Sequence, residues 1–328
     1  MNRLSVIIPV YNDRDNLIKC LDALEQSVFT DYQLIVVDDG SDDGSDEAVS
    51  NRCDQFVRLS RNMGQSVARN HGARCANADL LFFLDADVMV EPDTLDRILN
   101  EFSANPDISA LFCSYQENTP SNDFFSQFKN LQHHFTHKIA RREAATFCGG
   151  FGAIRREVFL SVGGFEEDMR FMEDVQLGYR LNQAEHQILL CPAIQLTHNK
   201  KYSLFSLIKS DLFQRAIPWT RLMLKRKTYN NDLNTSSNNI ASVVVVFLML
   251  VVLLLHRDGI LALIMIQLGL LLALIFLNLN FLAFLRKSRG VLFTLRAVPM
   301  LWLQYAYSGF GLVLGTLAHL RDRVKGCA

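Results

Sequence analysis

The chain has no excess of charge, no cysteine framework and no leader-like start, and each absence removes a class of function. Its 33 Lys and Arg against 34 Asp and Glu leave no net charge of the kind that a broad nucleic-acid surface needs. Seven cysteines (Cys20, Cys53, Cys75, Cys113, Cys148, Cys191 and Cys327) include no Cys-x-x-Cys pair, so no disulfide framework is expected. They read as reduced, mostly buried thiols of a cytosol-facing protein. The first residues lack a basic stretch followed by an apolar one, and no secretory signal is expected there.

Long apolar runs are missing up to about Asn239 and dominate beyond it. Ile240 to Leu255 is one such run, closed by His256-Arg257-Asp258-Gly259, and Ile260 to about Leu285 is a second. A helix needs about 20 apolar residues to cross a bilayer. Tightly joined, the two runs predict a helical hairpin over about 240–256 and 260–285. A third segment, about 298–320, holds Trp302, Tyr305, Tyr307 and several glycines, which suit an interface or a helix–helix contact. Arg221, Lys225, Arg226 and Lys227 precede the first run, and Arg286, Lys287 and Arg289 follow the second. Both clusters on the cytosolic side predict a multi-pass protein of the inner (cytoplasmic) membrane, with residues 1–203 in the cytosol and a membrane domain over 240–328. A third crossing would carry Arg321, Arg323 and Lys325 to the far side, against that rule. Between the two lies 204–239. There Phe205, Leu212, Phe213, Trp219 and Leu222 alternate with Lys209, Arg215 and Arg221, as in an amphipathic segment on a membrane or a helix packed on the soluble domain.

In the polar half, Leu4 to Val10, Gln33 to Val37, Phe56 to Leu59 and Leu80 to Leu84 read as strands, with helical stretches after Asp13 and over Gln65 to Cys75. Such alternation predicts an α/β fold with a mostly parallel, Rossmann-like sheet, whose ligands bind beyond the carboxyl ends of the strands. Two strands end there in carboxylate pairs. Asp85-Ala-Asp87 can grip a hard cation such as Mg2+ or Mn2+, which would bridge and neutralise a diphosphate. Asp38-Asp39-Gly40-Ser41 offers acceptors for a uracil imide or ribose hydroxyls, or forms an Asx turn with Gly40 at its bend.

Val6-Ile-Ile-Pro-Val-Tyr-Asn12, Val36-Val-Asp-Asp-Gly-Ser41, Arg61-Asn-Met-Gly64, Ala68-Arg-Asn-His-Gly72 and Leu84-Asp-Ala-Asp87 follow one another in order. After them come Gly149-Gly-Phe-Gly-Ala-Ile-Arg155, Val162-Gly-Gly-Phe-Glu166 and Met172-Glu-Asp-Val175. This series resembles the family 2 glycosyltransferases of GT-A fold, over nearly all of residues 3–200. The resemblance implies a nucleotide-sugar donor held by Pro9, Tyr11, Asp38, Asp39, Asn62, Arg69 and Asp85, and a metal held by Asp85, Asp87 and His198. It implies Asp174 as general base, with Glu173 as alternative or partner. A sugar hydroxyl is a poor nucleophile, and a positioned carboxylate can take its proton as the new bond forms. The same two acids also suit the start of a helix. The expected activity is an inverting transfer onto a lipid-linked or other membrane acceptor, in cell-envelope glycan or glycolipid synthesis.

Processive synthases of that family carry Gln-x-x-Arg-Trp, whereas this chain reads Gln214-Arg-Ala-Ile-Pro-Trp219. The missing Arg-Trp pair and a helix-interrupting Pro218 argue for a non-processive enzyme. A processive synthase and a non-catalytic nucleotide-sugar-binding scaffold are the alternatives. Phe124 to Arg142, aromatic-rich and containing His133, His134 and His137, is the expected acceptor-side segment, with its histidines in packing or solvated roles.

Overall fold

The computed structural model describes residues 3–226, 236–255, 259–324 and 326. The expected Lys227, His256, Arg257, Asp258, Lys325 and Cys327 lie outside the described residues. Two compact units emerge, Met1–Asn122 with His137–Lys201, and Asp123–Thr136 with Tyr202–Ala328.

The first unit begins β1 (Leu4–Val10), α1 (Arg14–Glu25), β2 (Tyr32–Asp38), α2 (Ser45–Val49), β3 (Gln55–Arg58), α3 (Gln65–Cys75) and β4 (Leu80–Leu84). It continues through β5 (Val88–Met89), α4 (Thr94–Ala104), β6 (Ile108–Tyr115), α5 (Phe124–Ile139, shared with the second unit), β7 (Phe151–Arg155), α6 (Arg156–Ser161), α7 (Glu173–Gln183) and β8 (Gln187–His198). The sheet order is β3-β2-β1-β4-β7-β6-β8-β5. Strands β1 to β4 pair in parallel, as their alternation with helices predicted. The apolar runs of β1, β2 and β4 are buried on both faces, with Ile7, Ile8, Val36, Phe82 and Phe83 all fully buried, whereas the edge strand β3 is partly exposed. The other half is mixed. β7 enters antiparallel between β4 and β6, and β5 pairs antiparallel with the end of β8. Among the described residues four of the seven strand pairings are parallel, as expected of this α/β sheet, and the antiparallel ones all involve β5 or β7.

One strand is longer than its sequence suggests. Ile188 to Leu190 reads as a short strand, but β8 runs on past Pro192 to His198. Irregular register against β6 absorbs the proline. This extension pairs Val88 with His198 and so brings His198 beside Asp87.

The second unit holds α8 (Leu204–Lys209), a π-helical turn (Ser210–Ala216), α9 (Ile217–Arg226), α10 (Ser237–Leu255), α11 (Ile260–Leu277) and α12 (Leu279–Val324). Three of these helices, α10, α11 and α12, are long and apolar enough to cross a membrane. α10 and α11 leave most of their apolar side chains at the surface, including Leu254, Ile260, Leu272 and Phe276, as a lipid environment would accept. The second run is not one helix to about residue 285. It stops at Leu277, because Asn278 turns its amide inward onto Ser242 and the Leu274 carbonyl and accepts from the Tyr305 hydroxyl. α12 itself breaks at Gly290, whose φ is +84°.

Pro218 does not interrupt the helical path, contrary to the sequence reading. Residues 204–226 run continuously, with the wide π turn directly ahead of the proline. A π turn re-routes the carbonyls that proline cannot bond, so the chain stays helical. This stretch packs on α12 through small residues. A Cβ on Gly311 would lie 2.5 Å from that of Ala216, and one on Gly315 2.6 Å from that of Thr220. Between Lys129 and the π turn is a buried ion pair: Lys129 Nζ lies 2.7 Å and 2.9 Å from the two Asp211 oxygens, and Tyr307 donates to the same carboxylate at 2.8 Å. Asp211→Ala would leave Lys129 buried without a counter-charge, a loss worth ~3–5 kcal/mol. The expected result is a markedly lower thermal midpoint in detergent, read by intrinsic fluorescence.

Candidate active site

The carboxyl ends of β1, β2 and β4 face a pocket of about 320 Å³ in the first unit. In-register parallel pairing sets Val10 beside Asp38, and it is at or just past these strand ends that Pro9, Tyr11, Asp39, Asp85 and Asp87 line the cavity, with Asn62 from the loop before α3. Six of the residues singled out from the sequence thus converge, although up to 78 positions separate Pro9 from Asp87 in the chain (87 − 9).

The Asp38-Asp39 pair divides its work. Asp38 is fully buried, accepts from the Ser41 N–H at 2.9 Å and sits 3.5 Å from Arg58 Nε, so it holds the Asx turn at Gly40 rather than facing the pocket. Asp39 faces the pocket, and its two oxygens accept from the Met63 and Gly64 N–H groups at 2.7 Å and 2.8 Å. Those bonds fix the 62–64 loop that carries Asn62 over the cavity.

Asp85 and Asp87 also part company. Asp85 receives the Arg69 guanidinium at 2.6 Å and retains about a third of its side-chain surface. Its position depends on Gly150: the Gly150 carbonyl accepts from the Asp85 N–H at 2.9 Å, and a Cβ there would lie 2.5 Å from Asp85 Oδ2. Asp87 lies 3.4 Å from His198 Nε2 and 4.0 Å from Lys200 Nζ. Burial pushes its carboxyl up, but His198 and Lys200 outweigh that and hold it below its usual value. His198 is oriented by the Tyr115 ring, stacked on it at 4.4 Å and 4°.

Arg69 is not free to reach into the pocket. It is only 2% exposed and is taken up by Asp85 on one side and Glu173 on the other, the latter at 2.8 Å. Glu173 begins α7, is itself buried, and also accepts from the Gln65 amide at 2.6 Å. Burial and the neighbouring Asp174 push it up to about 7, against the pull of Arg69. Asp174 accepts from the Gly149 N–H at 3.3 Å; burial raises it, with Arg69 opposing.

The remaining lining includes Asp13, Gln65, Arg170, Phe171 and Lys200. Asp13 stands at the cap position of α1, yet it accepts the Asn16 amide instead of a backbone N–H. Burial and then the charge of Asp87 raise its carboxyl, so acids are crowded here. Gln65, Arg170 and Phe171 escaped the sequence reading. The only local cue was their place beside two short motifs, just after Gly64 and just before Met172.

Among the described residues no three His, Cys, Asp or Glu side chains form a cage for a metal. A hard cation that binds through one or two carboxylates plus substrate phosphates needs no cage. Asp87 with His198, and Asp85 across the same pocket, fit such an open site, and the crowded acids favour positive charge there. His133, His134 and His137 do not assemble a second one. His134 stacks on Phe284, while His137 bonds Ser114 at 3.3 Å.

Residues 5–163 match the sequence profile of "Glycosyl transferase family 2". An uncharacterized glycosyltransferase of Haemophilus influenzae is 29% identical over 188 residues, 55% of this chain and 62% of that protein. An undecaprenyl-phosphate 4-deoxy-4-formamido-L-arabinose transferase of Photorhabdus laumondii is 32% identical over 117 residues, 33% of this chain and 36% of that protein. The chain thus spans under two thirds of the length of these curated relatives. A mannosyltransferase from Pyrobaculum calidifontis, solved with GDP-Man and Mn2+, has a TM-score of 0.59 at 17% identity, covering 98% of this chain and 87% of that one. That likeness is one of fold.

Proposed function

We propose that residues 5–163, which match that family profile, form a glycosyltransferase family 2 domain and that the chain transfers a sugar, with inversion, from a UDP- or GDP-sugar to a lipid-linked or other membrane acceptor. The observation that carries this reading is the convergence of Asp13, Asp39, Asp85 and Asp87 with Arg170 and Lys200 around one pocket at the strand ends. Names of relatives support it: one acts on undecaprenyl phosphate, and a fold neighbour was solved with a nucleotide sugar and Mn2+. The three apolar helices supply a reason for a membrane acceptor, since confinement at the bilayer raises its effective concentration. In this reading the pocket faces the cytosol, at an inner membrane crossed several times.

Pro9, Tyr11, Asn62 and Asp39 line the pocket with Asp85, and in this reading the first four would take the nucleoside and Asp85 the ribose. Asp87 and His198, with Asp85, would hold Mg2+ or Mn2+, which offsets charge on the departing diphosphate when bound. Arg170 and Lys200 add fixed positive charge on the same side. Asp174 takes the proton of the acceptor hydroxyl as that oxygen bonds to the anomeric carbon. The bond from that carbon to phosphate breaks, and its electron pair leaves with the nucleoside diphosphate. One in-line displacement inverts the anomeric centre.

A donor-hydrolysis screen on detergent-purified protein tests the reading. UDP- and GDP-sugars are supplied with Mn2+ or Mg2+, with and without EDTA. Release of one nucleoside diphosphate, abolished by EDTA, is the expected result; donor binding with no release from any donor would favour a binding protein. Gly150→Ala provides a sharper check. The added methyl meets only the end of the Asp85 side chain, so the fold tolerates it while Asp85 must swing away. Turnover is expected to fall ~10²-fold, the scale on which a misplacement of about 1 Å acts.

A further inference from the structure

Glu173 and Arg69 are buried charged residues for which the mechanism above has no direct use. We infer that they are positioning residues: Arg69 bridges Asp85 to Glu173, and through the first turn of α7 that bridge sets the aim of Asp174. The inference deepens the proposed function and rests on it.

Geometry carries the argument. Arg69 splits its guanidinium, Nη2 donating to Asp85 Oδ1 at 2.6 Å and Nη1 to Glu173 Oε1 at 2.8 Å. The partners lie 16 and 104 positions away in the chain, one at the end of β4 and the other at the start of α7. Glu173 Oε1 also accepts from Gln65, one turn before Arg69 on α3, so two donors from one helix face hold a single carboxylate. With that oxygen engaged and the residue 2% exposed, Glu173 is poorly placed to take a proton from a substrate. Its neighbour Asp174 is more exposed, and among the described residues its two oxygens accept only from backbone N–H groups, those of Gly149 and Val175, with no cationic side chain bound to them.

Docking alone does not call for the guanidinium. α3 is already fastened to the 165–169 segment by Asn70, which exchanges hydrogen bonds with the Phe165 backbone, and by Ser66 donating to the Met169 carbonyl. Apolar side chains in place of a buried ion pair often give equal or better stability. What the planar fork adds is a fixed distance between two carboxylates that belong to opposite ends of the reaction. Lysine, a single point charge, does not reproduce it.

The test uses full-length protein in detergent, with two readouts. Binding of UDP and of GDP, each with Mn2+, is measured by calorimetry, and its stoichiometry normalises the active fraction. Turnover is measured as hydrolysis of whichever of UDP-glucose, UDP-N-acetylglucosamine or GDP-mannose the wild type consumes. Arg69→Lys is expected to weaken nucleotide binding ~10-fold through Asp85, and also to slow turnover, although its side chain does not line the pocket. Glu173→Gln, nearly isosteric, is expected to leave binding within ~3-fold while cutting kcat ~10- to 100-fold. Asp174→Asn should cut kcat further than Glu173→Gln does. Should Arg69→Lys fail to fold, the Glu173→Gln split between binding and kcat still decides. Variants that bind and turn over like wild type overturn the bridge, and so does a Glu173→Gln protein as inactive as Asp174→Asn. A wild type that binds neither nucleotide overturns the donor reading itself, and the bridge with it.

Discussion

Asp174→Asn is expected to bind UDP or GDP as well as the wild type does and to transfer sugar ~10³-fold more slowly, within the ~10²–10⁴ range typical of a positioned base. The substitution keeps the shape of the side chain and one oxygen for the two backbone N–H groups, of Gly149 and Val175, that Asp174 accepts from. It removes the oxygen basicity that the acceptor hydroxyl requires. Asp174 is absent from the pocket lining, so donor affinity has no reason to move. Burial raises its pKa, with Arg69 partly offsetting that. A base must be unprotonated to act, so the acid limb of kcat should lie above the ordinary carboxylate range and vanish in the variant. A pH–rate profile at saturating donor and acceptor checks both points. Full transfer activity in Asp174→Asn would remove it from the mechanism.

Asp87→Ala has the second large expected effect. Asp87 is the carboxylate that His198 and Lys200 hold in its charged form, and it lines the pocket where the diphosphate would sit. Its loss should abolish stimulation by Mn2+ and reduce kcat ~10³-fold, since charge stabilisation of several kcal/mol disappears at about tenfold per 1.36 kcal/mol. Mn2+ binding in the presence of UDP or GDP, followed by electron paramagnetic resonance, gives a readout independent of turnover. His198→Ala should show a milder form of the same defect. An Asp87→Ala protein that still binds Mn2+ and responds to it would move the cation elsewhere.

Local order made much of this legible in the chain. Apolar runs with helical stretches between them give β1 to β4 and α3 at nearly their observed bounds, since a strand buried on both faces needs consecutive apolar residues. That there are three apolar helices follows from the apolar segments, but the break at Asn278 and the span of α12 from Leu279 to Val324 do not. Strand β7 was hidden inside the glycine-rich Gly149-to-Arg155 motif, and its antiparallel entry depends on partners far away in sequence. Pro218 read as a break because the sequence does not reveal a π turn that can absorb it.

For the site, the sequence by itself determined which acids stand at strand ends, and so which residues could converge on a donor. Only the tertiary structure decided what each of them faces. Asp38 and Asp39 are adjacent, yet one is walled into a turn and the other opens to the pocket, because successive residues leaving a strand point to opposite sides. Arg69 has the composition of a phosphate contact, but folding sets two carboxylates against it and leaves it 2% exposed. His198 reaches Asp87 only because β8 outruns its apolar core to pair with β5. Such pairings join positions 16 to 111 residues apart (85 − 69; 198 − 87). Local propensity acts over a few residues, whereas burial of charge is settled by whatever the packed chain brings alongside.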